Sequence, residues 1–255
     1  MKTLRMEEMN WVDIKKAIND GFKTVIIGVG STEQHGPHLP TQTDALIADV
    51  MVNLIVQKLK NALQAQTIRV GCSDHHLPFP GTISLKQSTL RVIIHDYIES
   101  FQRHGFENIV FVPSHGGNFK PLEIAVEEAK KLYPNLKIIA ITDLMRFVKE
   151  QNKIAESLNI TEEEAGAHAG EAETSEVLYL AENLVKREKF QSGYLGKLGE
   201  EEIELVFKRG MPALTEIGVI GDPHKASKEH GKIYVEKMVE FLTEEIKKST
   251  MSFPL

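Results

Sequence analysis

The segment Ser31-Thr32-Glu33-Gln34-His35-Gly36-Pro37-His38-Leu39-Pro40-Thr41-Gln42-Thr43-Asp44 places two carboxylates and two imidazoles in one short loop. Glu, His and Asp supply the oxygen and nitrogen donors taken by divalent metals such as zinc and manganese. Gly36, Pro37 and Pro40 suit a rigid turn that would hold those donors in place. A lone Glu, His or Asp in a polar loop is ordinarily solvated. A dense set of them beside an apolar strand is not something a structural loop needs, so Glu33, His35 and Asp44 read as metal ligands. A further imidazole, His115, stands in Ser114-His115-Gly116-Gly117-Asn118 at the end of another apolar run. The two glycines there permit close backbone approach, and Asn118 is placed to cap the helix that follows. A third segment runs Ala167-His168-Ala169-Gly170-Glu171-Ala172-Glu173-Thr174-Ser175-Glu176. His168 and Glu171 precede a helix, so they can point to a common centre near its N-terminus, where the helix dipole favours carboxylates. For Glu176, simple acid enrichment in a first helical turn is a sufficient reading.

The elements around these segments alternate between strand and helix patterns. Trp11 to Asn19 reads as a helix with Gly21 as its stop. Thr24 to Val29 is a β-branched apolar run of the buried-strand type, and a helix is expected from Ala45 to Leu63. Ile68 to Cys72 reads as the second strand. Leu90, Ile93, Ile94, Tyr97, Ile98 and Phe101 recur at helical spacing, with Gly105 as the stop. Asn108 to Pro113 and Lys137 to Ile141 read as the third and fourth strands, with a helix from Pro121 to Leu132 between them. Helices are expected over Leu144 to Leu158 and Ala172 to Leu184, and again through Ile233, Val239 and Ile246 at the end of the chain. Phe190 to Leu198, the least periodic stretch, reads as a surface loop. This alternation predicts an α/β fold in three layers, α/β/α, with a mostly parallel central sheet. The donor loops leave the carboxyl ends of its strands, where open α/β sheets place ligands.

Composition narrows the class. The chain has 255 residues, 42% hydrophobic and 26% charged, with a formal net charge of -6. That suits one large domain over 1–255. The absence of a basic patch argues against nucleic acid. No run approaches the ~18 apolar residues of a membrane span. Met1 to Glu8 lacks the apolar core of a signal peptide, and a single cysteine, Cys72, forms no internal disulfide. Together these features predict a cytoplasmic protein. Cys72 reads as a small buried apolar residue, since no basic partner adjoins it in sequence.

The three donor segments resemble the creatininase family. The likeness lies in Gly30 to Pro40 with Asp44, in Ser114 to Asn118, and in His168 to Ser175. Lesser matches occur at Pro80-Gly81-Thr82-Ile83-Ser84 and Gly218-Val219-Ile220-Gly221-Asp222-Pro223. The resemblance implies a creatininase-like fold and a homo-oligomer, with a hexamer favoured. It also implies two divalent metal ions per chain, zinc or manganese, with iron compatible. In the family pattern Glu33, Asp44 and His115 bind one metal, and His35, the shared Asp44 and one further Glu bind the other. In creatininase proper that Glu comes two residues after the third-strand His, where this chain has Gly117. The sixth ligand is therefore assigned to Glu171. Glu173 is its rival, read as a supporting group or a helix-start carboxylate. His38, Thr82, Gly116, Gly117 and Asn118 are expected to support the ligands or touch substrate.

The implied activity is that of a metal-dependent amidohydrolase acting on a cyclic amide, a formamide or a related non-peptide C–N bond of a small molecule. A hydroxide bridging the metals would attack the carbonyl, and His168 would pass a proton to the leaving nitrogen. Creatininase proper has a Tyr where this chain has Gly116, and a Trp-Asp pair where it has Glu164 and Ala165, which argues against creatinine as the substrate. The Gly-Gly form is common among relatives acting on other amide-like bonds, including formamide deformylases and peptide-trimming enzymes. His75 and His76 read as flanking the pocket or as solvated loop residues. His95, His104, His224 and His230 read as structural. The competing readings are a relative that binds without turnover and a metal-dependent hydrolase of another bond type.

Overall fold

The computed structural model describes residues 3–251. Met1 and Lys2, at the start of the segment read for a signal peptide, lie outside them. In chain order the main elements are α1 (Trp11–Asn19), β1 (Thr24–Val29), α2 (Thr43–Leu59), β2 (Ala62–Gln64), α3 (Gln87–His104), β3 (Asn108–Pro113), α4 (Phe119–Leu132) and β4 (Lys137–Ala140). They continue with α5 (Leu144–Ser157), α6 (Glu162–Ala165), α7 (Glu171–Ala181), α8 (Glu200–Arg209) and α9 (Lys228–Met251).

The four strands form one sheet in the order β2-β1-β3-β4, with every pair parallel. Successive strand residues point to opposite faces. Ile26, Val110 and Ile139 join one apolar core with residues of α2, α5, α7 and α9. Val25, Ile27, Ile109, Phe111 and Ile138 join a second core with α1, α3 and α4. Helices thus cover both faces. This is why the strands read as continuous apolar runs rather than alternating ones.

The expected helix over 45–63 ends earlier. Lys60 takes a left-handed conformation, φ 65°, and closes α2 at Leu59. Ala62–Gln64 then pairs with β1 as the second strand. The strand expected at Ile68 to Cys72 shrinks to a single bridge between Ile68 and Val29. Ile26 faces Gln64 whereas Val29 faces Ile68, so the edge strand carries an extra residue and bulges before it resumes. α6 and α8 are helices that the sequence pattern did not mark. α8 rests on a small separate cluster that includes Val206, Met211 and Ile220, apart from the two main cores.

β1 and β3 are neighbours along their whole length, from Thr24–Asn108 to Val29–Pro113. β1 connects to the strand on its far side, while β3 leads on to β4 in the other direction. Their adjacent carboxyl ends form the point where the winding reverses and a crevice opens. Among the described residues, no helix is long and apolar enough to cross a membrane.

Candidate metal centre

Both donor loops leave this crevice. The loop after β1 carries Glu33 and His35, both fully buried, and the start of α2 adds Asp44, 1% exposed. The loop after β3 brings in His115, whose Nδ1 lies 3.1 Å from Glu33 Oε1 and 3.5 Å from Asp44 Oδ2. His35 Nε2 lies 3.3 Å from Asp44 Oδ1 and 3.7 Å from Glu173 Oε2. The two oxygens of Asp44 therefore face different imidazoles. His168 enters from the turn before α7, with Nδ1 3.7 Å from Glu33 Oε1. The sequence-predicted residues Glu33, His35, Asp44, His115 and His168 converge on one buried cluster.

Backbone carbonyls orient three of the imidazoles. His35 Nδ1 donates to Glu33 O at 3.1 Å, His115 Nε2 to Cys72 O at 3.0 Å, and His168 Nε2 to Gln34 O at 2.7 Å. In each ring the second nitrogen is left facing the carboxylates. Metal-ligating histidines have this arrangement, one N–H fixed on a carbonyl and the other nitrogen presented as a donor. Glu33 Oε1, His35 Nε2 and Asp44 Oδ2 are buried without a hydrogen-bond partner among the described residues. Three overlapping sets offer donor atoms within 4.8 Å of one another: Glu33, His35 and Asp44; His35, His168 and Glu173; and Glu33, His76 and His168. Buried, unpaired donors of these types suit divalent cations.

The electrostatics agree. Burial opposes charge on Glu33, but the charge of His115 outweighs it and holds the carboxyl well below the usual carboxylate range. Burial also pulls His35 down, yet Asp44, Glu173 and Glu33 push it up to about 10. His115 is carried to about 9 against its burial, by Glu33 and Asp44. Burial and the neighbouring negative charge of Glu33 raise Asp44, against the pull of His35. Glu173 is raised to about 7, chiefly by burial. His168 is the exception among the imidazoles. Burial, then the charge of His35, hold it well below the ordinary histidine value.

The structure corrects the assignment of Glu171. Its Oε1 accepts from His230 Nδ1 and Ser175 Oγ, and its Oε2 from Tyr234 Oη, each at 2.8 Å. Its carboxylate is thus consumed between α7 and α9. Residues two apart on a helix project about 200° apart, so Glu173 takes the side that faces His35. Gly117 has no room to supply a carboxylate either, because a Cβ there would lie 2.1 Å from Cys72 O and 2.6 Å from His115 Nε2.

Other expectations also shift. Asn118 does not cap α4. Its side chain accepts from Cys72 N and donates to Val29 O and Gly30 O, tying the ends of the donor loops together. Thr82 accepts from Gln34 N at 3.1 Å and steadies the first loop from outside. His38 bonds Thr174 Oγ1 at 2.9 Å, and burial and the charge of His35 lower it to about 4. Glu176 is not a solvated helix-start acid. It is 3% exposed, and burial, with Glu173 and Glu171 nearby, pushes its carboxyl well above the usual range. His76, read as flanking or solvated, is buried with Nε2 3.3 Å from Glu33 Oε1. The adjoining Pro78-Phe79-Pro80 gives no sequence signal for that inward turn. His230 is structural as expected, through Glu171, and Cys72 is buried.

A cavity of about 260 Å³ reaches the cluster. Glu33, Asp44, His115, His168 and Glu173 line its polar part. Phe147 and Val148 of α5 and Val206 and Phe207 of α8 supply apolar walls, and Gln151, Asn152, Glu162 and Glu163 add polar groups. His75 lines it as well, its ring 4.7 Å from that of Phe207, and burial and the charge of His115 lower it to about 4. A concave apolar site with a few convergent polar groups is the usual form of a small-ligand pocket.

The family profile Creatininase, described as creatinine amidohydrolase, matches residues 7–246. The Mycofactocin precursor peptide peptidase of Mycolicibacterium smegmatis is 31% identical over 229 residues, which cover 88% of this chain and 84% of that protein. The 3-dehydro-scyllo-inosose hydrolase of Thermotoga maritima is 27% identical, covering 90% of this chain and 78% of its own. The Creatinine amidohydrolase of Pseudomonas putida is 24% identical, covering 96% and 97%. Among solved structures, one named Creatininase Mn superposes with a TM-score of 0.83 at 23% identity, covering 97% of this chain and 98% of its own. A creatininase variant of Zn-Zn type gives a TM-score of 0.81 at 23% identity, covering the same 97% and 98%. At these identities the structural likeness establishes the fold.

Proposed function

From the premise that this chain belongs to the creatininase family, we propose that it is a metal-dependent hydrolase of an amide-type C–N bond, working at the Glu33–His35–Asp44–His115–Glu173 cluster. The observation that carries this reading is the Asp44 carboxylate. Its Oδ1 faces His35 and its Oδ2 faces His115, and Oδ2 is buried without a hydrogen bond. A carboxylate so placed fits a bridge between two divalent cations. Glu33 and His115 would complete one site, and His35 and Glu173 the other. Relatives solved in Mn and Zn-Zn forms support the choice of zinc or manganese. When bound, such a pair supplies an activated water and polarises a carbonyl at neutral pH.

The protein's own groups do the rest. His168 presents Nδ1 to the cluster while Nε2 stays on Gln34 O, so it takes a proton at Nδ1 and returns it to the leaving nitrogen. Glu173 Oε2 is held by the N–H of Ala169 at 2.5 Å, which keeps it turned toward His35. Phe147, Val148, Val206 and the more exposed Phe207 offer an apolar surface to a group attached to the scissile amide. A substrate with such a group uses walls that a small cyclic amide would leave unfilled. A cyclic amide, formamide or other non-peptide C–N bond, carried by a substrate that bears such an apolar group, is the first reading. A peptide bond is the second, favoured by the peptidase name of the 31% identical relative. The substrate is a small molecule or short peptide, and the active form is a homo-oligomer, a hexamer by resemblance.

The test is a panel of lactams, formamides and short peptides, each assayed with zinc or manganese supplied and with chelator. Metal-dependent release of an amine supports the reading. Metal-independent release, or no metal bound after supplementation, overturns it.

A further inference from the structure

We propose that Gln34 fixes which nitrogen of His76 and of His168 carries the proton, so that one imidazole turns an N–H toward the carboxylate cluster and the other a lone pair. Gln34 is 6% exposed, and its carboxamide has a single allowed orientation. Gly36 N–H can only donate, and it lies 2.9 Å from Gln34 Oε1. The Gly218 carbonyl can only accept, and it lies 3.2 Å from Gln34 Nε2. Two unambiguous backbone groups therefore assign the oxygen and the nitrogen. The clamp is tight, since a Cβ on Gly218 would sit 2.0 Å from Gln34 Oε1.

The amide nitrogen has two hydrogens to give. One goes to Gly218 O. The other points at His76 Nδ1, 2.9 Å away. His76 Nδ1 thus accepts and cannot carry a proton, because an N–H there would face another N–H. The His76 proton sits on Nε2, which lies 3.3 Å from Glu33 Oε1. That ring turns its N–H toward Glu33 Oε1 without closing a hydrogen bond on it, and is a positioning residue for it.

His168 is set the other way. Its Nε2 lies 3.0 Å from Gln34 Nε2 and 2.7 Å from Gln34 O. Both amide hydrogens are already committed and the backbone oxygen only accepts, so His168 Nε2 donates to that oxygen. The lone pair of Nδ1 then faces Glu33 Oε1 at 3.7 Å. One residue governs both rings, His76 through its side chain and His168 through its backbone. The proposal stands on hydrogen bonds within the chain. It draws on the metal reading only for its consequence, that Glu33 is held ready as a ligand.

The test is nitrogen-15 NMR of histidine-labelled protein, metal-free and zinc-loaded. Long-range nitrogen–proton correlations distinguish a protonated ring nitrogen from a bare one. In the native chain His76 should show a bare Nδ1 and a protonated Nε2. Gln34→Met keeps the length and removes the donor. His76 should then relax toward mixed tautomers while His168, held by the backbone, keeps its state. Zinc affinity should fall roughly 10–100-fold, as for loss of an outer partner of a metal ligand. Gln34→Glu replaces the donor by an acceptor and should move the His76 proton onto Nδ1. A native His76 with Nδ1 protonated overturns the proposal, and this reading needs no variant to fold. So does a His76 unchanged in Gln34→Met, or a His168 that shifts as far as His76 does. Expected tautomers in a chain that binds no zinc would support this proposal and count against the metal reading alone.

Discussion

Glu173 Oε2 lies 3.7 Å from His35 Nε2, on the side of α7 away from Glu171. The two carboxylates are two residues apart, and helical geometry sends them to different partners. Glu173→Gln should lower metal content from about two per chain toward one, with the fold intact. Glu171→Gln should keep the metal and lower the melting temperature. It weakens hydrogen bonds that a part-exposed His230 and a buried Tyr234 make to a fully buried carboxylate, a loss of about 1.5–3 kcal/mol. Elemental analysis and thermal unfolding separate the two. Metal lost from Glu171→Gln and kept in Glu173→Gln would reverse the assignment.

The sequence made most of this site legible. β1 and β3 are apolar runs buried on both faces, and donor-rich loops after them stand out against such strands. Family motifs then picked out Glu33, His35, Asp44 and His115. What stayed hidden depends on rotation and packing. Whether Glu171 or Glu173 faces the cluster turns on where α7 begins, and a one-residue change in that start rotates every side chain by about 100°. His76 was obscure because its partners at the cluster, Gln34 and Glu33, lie far away in sequence. α8 was missed although Ile203, Val206 and Phe207 recur at helical spacing between Glu200 and Gly210, and in the fold Val206 is its one buried residue.

Asp44→Ala should remove both metals, whereas Glu33→Ala should chiefly weaken one. Asp44 faces His35 through one oxygen and His115 through the other, while Glu33 Oε1 faces His115, His76 and His168. Zinc titration of each variant by calorimetry reads the difference. Equal loss in the two variants counts against a shared Asp44.

Metal-free and metal-loaded protein should respond to pH in different ways. His35 and His115, raised to about 10 and about 9 from 6.5, hold protons that the unfolded chain releases. Their stabilising contribution is complete below pH 6.5 and is lost as pH rises through 9 to 10. The metal-free protein should therefore lose stability between about pH 7 and pH 10. A metal takes the same nitrogens in neutral form, so loading expels protons and zinc affinity should rise over that window. Calorimetric unfolding at pH 7 and pH 9 tests the first statement, and zinc uptake in buffers of different ionisation heat tests the second. A metal-free melting temperature that climbs from pH 7 to pH 9 contradicts the argument.

Gly116 and Gly117 are neighbours with opposite tolerances. Nothing lies within 4 Å of a Cβ built on Gly116, which lines the cavity. Gly116→Ala should fold normally and change KM more than kcat. A Cβ on Gly117 meets Cys72 O, the acceptor for His115 Nε2. Gly117→Ala should cost about 1–3 kcal/mol by overpacking and weaken metal binding through His115. Unfolding curves and metal content of the pair check this, and a Gly117→Ala as stable as the native protein would show that the loop yields more easily than its hydrogen bonds indicate.

His168→Ala should leave metal content near its native level and reduce turnover by roughly 10²–10⁴-fold, the usual contribution of a general acid–base. His168 has the lone pair of Nδ1 toward the cluster, and burial, with the charge of His35, keeps it neutral. A neutral imidazole whose far nitrogen is fixed on Gln34 O takes a proton at one defined atom and gives it back there. Its place in two of the three candidate donor sets makes direct ligation the competing role. The two roles differ in one measurement. As a proton carrier, His168 can be replaced by Ala with little change in zinc titration, and a substrate whose leaving group needs no proton should recover most of the lost rate. As a ligand, its removal empties a site, and no choice of leaving group restores turnover.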